Sequence, residues 1–201
     1  MPDYVLVHGG DRDGSIWNAV TILLKQSGHR VFCPSMTSVK KATLQENINE
    51  VVHYIESKKL EDIILVGHSY GGFVITGVAD QLHDKILALI FVDSLIPKIG
   101  KSLHDIAADN GYSYESLGLT LDPAVISKIT FDEKKVFSIK KAYIHCLQSE
   151  FIVLTKKNYE DLKKDKNDWL FFCLDTTHSP MLTQPTELSV ILLGIQILLS
   201  Q

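Results

Sequence analysis

Ile63-Ile64-Leu65-Val66-Gly67-His68-Ser69-Tyr70-Gly71-Gly72 is an apolar run that stops at a serine set between two glycines. Four consecutive apolar residues suit a strand buried on both faces, and the small residues after Ser69 suit the start of a helix. A chain that turns directly from such a strand into a helix forces its corner residue into a strained conformation, and only residues as small as Gly67 and Gly71 fit beside it. The corner hydroxyl is left exposed at the carboxyl edge of the sheet. The positive end of the following helix is aimed at any negative charge that develops there. Ser69 therefore reads as a nucleophile. A serine between two spaced glycines also arises by chance, so the weight rests on the strand before it and the helix after it.

The rest of the chain repeats this strand–helix alternation. Val5–Val7, Arg30–Cys33, Leu87–Val92, Ala142–Cys146 and Trp169–Leu174 read as further strands, which predicts an α/β fold with a mostly parallel sheet and helices on both faces. A helix over Ile16–Gln26 ends at Ser27-Gly28, and Thr43-Leu44-Gln45-Glu46 has the form of a capping box opening a helix to about Lys58. A final helix is expected from Thr183–Glu187 onward, with Leu188, Ile191, Leu192, Ile195 and Leu199 at helical spacing. Residues 95–139, between two of the strands, form an insertion too long for an ordinary connection. Ser102–Asp105 and Asp122-Pro123 are helix-start signals within it. Tyr112, Tyr114, Leu117, Leu119, Leu121, Val125 and Ile129 supply an apolar inner surface, so a short helical lid over Ser69 is expected.

At 201 residues the chain is most simply one domain, 1–201. Twenty basic residues against 24 acidic ones, interspersed and summing to −4, give no positive field for nucleic acid or anionic lipid. The basic run at Lys156, Lys157, Lys163, Lys164 and Lys166 is that of a solvated helix face. No apolar stretch has membrane-spanning length, and a strand follows Met1 too closely for a signal peptide, so a cytoplasmic protein is expected. Cys33, Cys146 and Cys173 lack metal-ligand spacing and read as reduced core residues. A homodimer is compatible with the composition, which sets no oligomeric state.

A serine hydroxyl attacks only when a base takes its proton. Of eight histidines, His178 is best placed, because Asp175-Thr176-Thr177-His178 follows a strand and so lies at the same sheet edge as Ser69. His8 and His68 adjoin glycines in tight turns, where a side chain more often shapes backbone. The three lack the short helical spacings of zinc enzymes, and no metal is expected. An oxyanion hole needs two backbone N–H groups aimed at one point. Val5-Leu6-Val7-His8-Gly9-Gly10 ends a strand in glycines that let Gly10 approach a substrate, and the Tyr70 N–H is its expected partner.

His8-Gly9-Gly10-Asp11-Arg12-Asp13-Gly14-Ser15-Ile16-Trp17, Gly67-His68-Ser69-Tyr70-Gly71-Gly72 and His178 before Pro180-Met181 together resemble the α/β-hydrolase superfamily, in particular its small esterases and hydroxynitrile lyases. The resemblance spans nearly the whole chain. It implies a Ser69–His178 pair and an oxyanion hole at Gly10 and Tyr70. The family usually places its acid, an aspartate, just past the strand that is Ala142–Cys146 here, where this chain has Leu147-Gln148-Ser149-Glu150. Asp93, at the end of Leu87–Val92, occupies the other edge position from which some members supply their acid. Asp93 and Glu150 are both candidates, Asp93 the favoured one for its shorter side chain.

The expected activity is hydrolysis of small carboxylic esters through an acyl-enzyme, needing no cofactor. A hydroxynitrile lyase would use the same serine and histidine. The lyases that this chain resembles carry a lysine after the histidine and a threonine in the oxyanion loop, where Ser179 and Gly9 stand here. A ligand-binding protein with little turnover is the reading from another class, kept open by the missing family aspartate.

Overall fold

The computed structural model describes residues 1–164 and 169–199. Six strands, β1 (Asp3–Val7), β2 (Val31–Phe32), β3 (Ile63–His68), β4 (Ile86–Val92), β5 (Lys140–Cys146) and β6 (Trp169–Leu174), form one sheet in the order β2-β1-β3-β4-β5-β6. Every pairing is parallel, with Val5 beside Leu65, Leu65 beside Leu89, Ile90 beside Ala142 and Tyr143 beside Phe171. Successive strand residues point to opposite faces, so each apolar run feeds two cores. Val5, Val7, Leu65, Leu89, Phe91 and Tyr143 pack on one side, and Tyr4, Leu6, Val66, Ile90, Val92 and Ile144 on the other. That double burial explains why these strands read as continuous apolar runs rather than alternating ones.

The first face is covered by α2 (Leu44–Ser57) and α3 (Gly71–Gln81), which pack on each other. The second is covered by α1 (Asn18–Gln26) and α9 (Pro185–Leu199). Thr43 caps α2 through the expected box, its hydroxyl accepting from Glu46 N–H while Glu46 reaches back. α1 is preceded by a 3-10 turn over Gly14–Trp17, so the helix starts two residues later than its pattern suggests. The end of the chain is broken into α8 (Pro180–Thr183) and α9, because Pro185 has no N–H with which to continue α8.

Between β4 and β5 run α4 (Leu103–Asp109), α5 (Pro123–Ile126) and α6 (Glu133–Ser138). Ser102 and Asp105 form the capping box of α4. Tyr114, Val125 and Ile129 are buried in the first core, with Tyr112, Leu117 and Leu119 packed against it. Leu121 departs from the expected inner surface and is 47% exposed. The Thr120 hydroxyl donates to Asp122 Oδ2 across it, and this tight turn carries Leu121 outward. The segment is tied down by Ala124 N–H to the Val39 carbonyl and by Ser127 Oγ, which accepts from Leu44 N–H.

After β5, α7 (Ile152–Lys164) carries Lys156, Lys157, Lys163 and Lys164, while Lys166 lies outside the described residues. Cys146 is buried and Cys33 half-buried, but Cys173 is exposed, against the expectation of a core position, because β6 is an edge strand covered on fewer sides. No helix among the described residues is long and apolar enough to cross a membrane.

Candidate active site

Strand order reverses at β1: the chain goes outward to β2 and then returns to β3 on the other side. Loops leaving the carboxyl ends of β1 and β3 diverge there and open a crevice. The loop after β1 brings Gly9 and Gly10, and the corner after β3 brings Ser69 and Tyr70, into the wall of a cavity of about 500 Å³. Asp93 after β4, Phe151 after β5 and His178 after β6 complete that wall. The segment between β4 and β5 adds the apolar Leu103, Tyr114, Leu119 and Val125 together with Thr120 and Asp122.

Ser69 has φ 53°, a left-handed conformation that is rare for a residue with a side chain. The turn is that tight because α3 begins almost at once. A Cβ on Gly67 would stand 2.6 Å from the Gly71 carbonyl oxygen, and one on Gly71 would stand 2.7 Å from that of Val7. The strain is held by Ser69 N–H donating to the Val92 carbonyl at 3.0 Å, and by the Ser69 carbonyl accepting from Ser94 Oγ at 2.7 Å. Asp93 (φ 43°) and Asp11 (φ 53°) are two further left-handed residues on the same cavity. Such strain persists only where surrounding contacts over-determine it, and it clusters at functional sites.

His178 Nδ1 donates to Asp93 Oδ2 at 2.7 Å. Asp93 is fully buried, and its other oxygen accepts from Cys146 N–H at 3.2 Å. His145 Nδ1 stands 3.5 Å from that oxygen without completing a hydrogen bond of good geometry. Burial pushes the Asp93 carboxyl up, but the approach of His145, the hydrogen bond and charge of His178 and the Ser149 hydroxyl together outweigh it, leaving the group well below the usual carboxylate range. Ser149 Oγ lies 3.5 Å from His178 Nδ1. Glu150 takes a different place: its Oε2 accepts from the His178 backbone N–H at 2.9 Å, not from the ring. The His178 ring is packed between Phe151, edge to face at 4.7 Å, and His68 at 4.6 Å. With Nδ1 given to Asp93, Nε2 is the nitrogen left to serve Ser69.

The two glycine-adjoining histidines hold backbone. His8 Nε2 accepts from Met36 N–H at 3.0 Å, so its proton sits on Nδ1, which donates to the Gly9 carbonyl at 2.7 Å. Burial holds this imidazole below its ordinary value. Gly10 and Tyr70 both line the cavity wall, and among the described residues neither N–H donates to a protein acceptor. The Tyr70 phenol is occupied elsewhere, donating to Asn47 Oδ1 at 2.9 Å. Among the described residues no group of three or more histidine, cysteine or carboxylate side chains is arranged to hold a metal.

The contact of Ser94 with the Ser69 carbonyl and those of His145 and Ser149 around the acid were not legible in the chain. Each is a polar residue at or beyond a strand end, a weak signal that purely structural positions share. The backbone role of Glu150 was equally hidden.

Comparison with known proteins gives the family. Residues 4–138 match the model of the alpha/beta hydrolase family, and the chain belongs to that family. It is similar to a carbendazim hydrolyzing esterase of Nocardioides sp. (strain SG-4G), 42% identical over 51% of this chain and 46% of that protein. Methylesterase 8 of Arabidopsis thaliana is 28% identical over 68% of this chain and 54% of its own. The chain thus spans about half the length of the relatives it matches. Among solved structures, an extracellular alpha/beta-hydrolase from a Paenibacillus species superposes with a TM-score of 0.77 at 22% identity, covering 97% of this chain and 99% of the other. A pyrethroid hydrolase from Sphingobium faniae gives 0.77 at 19% identity, over 96% of each. At such identities these likenesses establish the fold.

Proposed function

We propose that the protein hydrolyses small carboxylic esters through an acyl-serine intermediate. The observation that carries this reading is the 2.7 Å contact of His178 Nδ1 with the buried Asp93 carboxylate, in the wall of the cavity that Ser69 also lines. The names of the relatives, an esterase and a methylesterase, support the same reaction class.

In this mechanism Ser69 Oγ attacks the ester carbonyl carbon while its proton passes to His178 Nε2. Asp93 holds Nδ1–H, which fixes the tautomer and stabilises the imidazolium. The carbonyl oxygen becomes an oxyanion received by the N–H groups of Gly10 and Tyr70. Collapse of the tetrahedral intermediate breaks the bond to the alkoxy oxygen, which leaves as the alcohol with the proton from Nε2. A water molecule then attacks the acyl-serine as His178 takes its proton, and the acid departs as Ser69 regains its hydrogen.

The segment over residues 95–139 acts as a lid, supported by the contribution of Leu103, Tyr114, Leu119 and Val125 to the cavity wall. A cytosolic setting is supported by three unpaired cysteines. Labelling with a fluorophosphonate probe tests the reading: the parent protein takes up one probe at Ser69, and Ser69→Ala takes up none. A parent that stays unlabelled, or an alanine variant labelled at the same rate, would sink it.

A further inference from the structure

His178 is held by its peptide groups as well as by its ring. Its N–H donates to Glu150 Oε2 at 2.9 Å, and its carbonyl accepts from His68 Nε2 at 2.7 Å. Residues 175–179 form a loop between β6 and α8 without a helical or strand ladder of their own, so these two side chains supply what secondary structure supplies elsewhere. They come from separate places: Glu150 from the loop after β5, and His68 from the last position of β3, next to Ser69.

The chemistry of His68 suits the task. A carbonyl only accepts, so the ring proton sits on Nε2, and Nδ1 is left as a buried atom without a partner among the described residues. Burial, with the repulsion of His178, brings this imidazole down to about 3, so it stays neutral and keeps one tautomer. A Cβ on Gly9 would lie 3.0 Å from His68 Nδ1. The ring is therefore wedged between the loop after β1 and the His178 carbonyl, and its own backbone continues into Ser69. One side chain links the loops after β1, β3 and β6.

We propose that Glu150 and His68 are positioning residues that fix the imidazole of His178 by clamping both of its peptide groups. The inference rests on the acyl-serine reading for its kinetic consequence, though not for its geometry. A reacting group displaced by about 1 Å costs on the order of 100-fold in rate, so loosening the peptide of His178 by removing one of its two anchors is expected to slow the reaction. Glu150 is exposed, so replacing it leaves the His178 N–H to water at little cost to folding.

The test compares Glu150→Ala, Glu150→Gln and the parent chain on p-nitrophenyl acetate, with thermal melting and hydrogen exchange of the His178 amide. Glu150→Ala should lower kcat roughly tenfold or more, with KM changed less than about twofold, since the lost contact orients the base and does not touch substrate. Glu150→Gln keeps an acceptor oxygen without the charge and should recover kcat to within about threefold of the parent. Melting should stay within about 2 °C in both, and His178 amide exchange should speed about tenfold in the alanine variant only. His68→Gln, which keeps an amide donor, should likewise retain more kcat than His68→Phe.

Glu150→Ala with parental kcat and parental exchange overturns the clamp. So does equal loss in the alanine and glutamine variants, which would assign the effect to charge. A fall in melting temperature that tracks the loss of kcat would make Glu150 a support of the fold only. If Ser69→Ala hydrolyses the ester as fast as the parent, the acyl-serine reading fails, and the exchange measurement still decides the clamp.

Discussion

The nucleophile, base and acid assignments turn on single atoms. Ser69→Ala removes one oxygen at an accessible corner, so hydrolysis of p-nitrophenyl acetate should fall on the order of 1,000-fold or more with the melting temperature unchanged. Activity within a few-fold of the parent would dismiss the serine mechanism. The two carboxylates near His178 separate as sharply. Asp93 Oδ2 meets the ring at 2.7 Å while Glu150 meets the peptide N–H at 2.9 Å. Asp93→Asn should therefore cost about 100-fold or more in kcat, because an amide cannot stabilise the imidazolium and favours the wrong tautomer. Glu150→Gln should cost only a few-fold. Steady-state kinetics on the two variants decide the order, and the reverse order would transfer the acid role to Glu150.

At the scale of elements, the corner between β3 and α3 depends on how closely α3 approaches the end of β1. A Cβ on Gly71 would stand 2.7 Å from the Val7 carbonyl oxygen and 2.8 Å from that of His8, both backbone atoms that cannot swing aside. Gly71→Ala should therefore push the helix start off the sheet and destabilise the protein by about 1–3 kcal/mol, despite the better helix propensity of alanine. Chemical denaturation measures it, and a variant as stable as the parent would show that the helix can shift freely. The corner was legible from residues 63–72 because strand, turn and helix signals sit within ten consecutive positions. The split of the last helix at Pro185 and the short β2 were less so: local pattern marks an element's existence better than its ends, which hydrogen-bond partners elsewhere determine.

The whole molecule carries a pH dependence that no single element shows. His68 has an ordinary value of 6.5 when exposed and about 3 when buried in the fold. Between those limits the unfolded chain binds a proton that the folded chain refuses, so stability is full above about pH 6.5 and is lost as pH falls. His8, also lowered by burial, adds to the loss with the same sign. Asp93, held below its ordinary 3.8, extends it, because its contribution disappears as pH drops from that value toward the folded one. Melting temperature should decline steadily from pH 7 to pH 4, by an amount on the order of a few kcal/mol in stability, and the slope should flatten in His68→Gln. A parent profile flat between pH 7 and 5 would contradict it.

The cavity sets substrate size on the same scale. On the proposed reading, a cavity of about 500 Å³ lined on one side by Leu103, Tyr114, Leu119 and Val125 suits a small apolar acyl group. Across p-nitrophenyl esters from acetate to palmitate, kcat/KM should peak at roughly C2 to C6. A maximum at C12 or beyond would mean that the segment opens into a groove.

The sequence by itself determined the parallel α/β sheet and the corner serine, because buried runs, glycine spacing and caps are local and each is written within a few residues. It also brought Ser69, His178, Gly10 and Tyr70 to one sheet edge, since in a parallel sheet every strand ends at that edge. It could only narrow the acid to two residues. Asp93 and Glu150 both follow strand ends, and which oxygen meets a ring and which meets a peptide depends on the strand order β3-β4-β5-β6 and on a left-handed turn at Asp93. The roles of His68 and Glu150 at the His178 backbone belong to the tertiary structure for the same reason. They are contacts across 110 and 28 residues of chain, made by side chains whose identity alone says nothing of the peptide group they will meet.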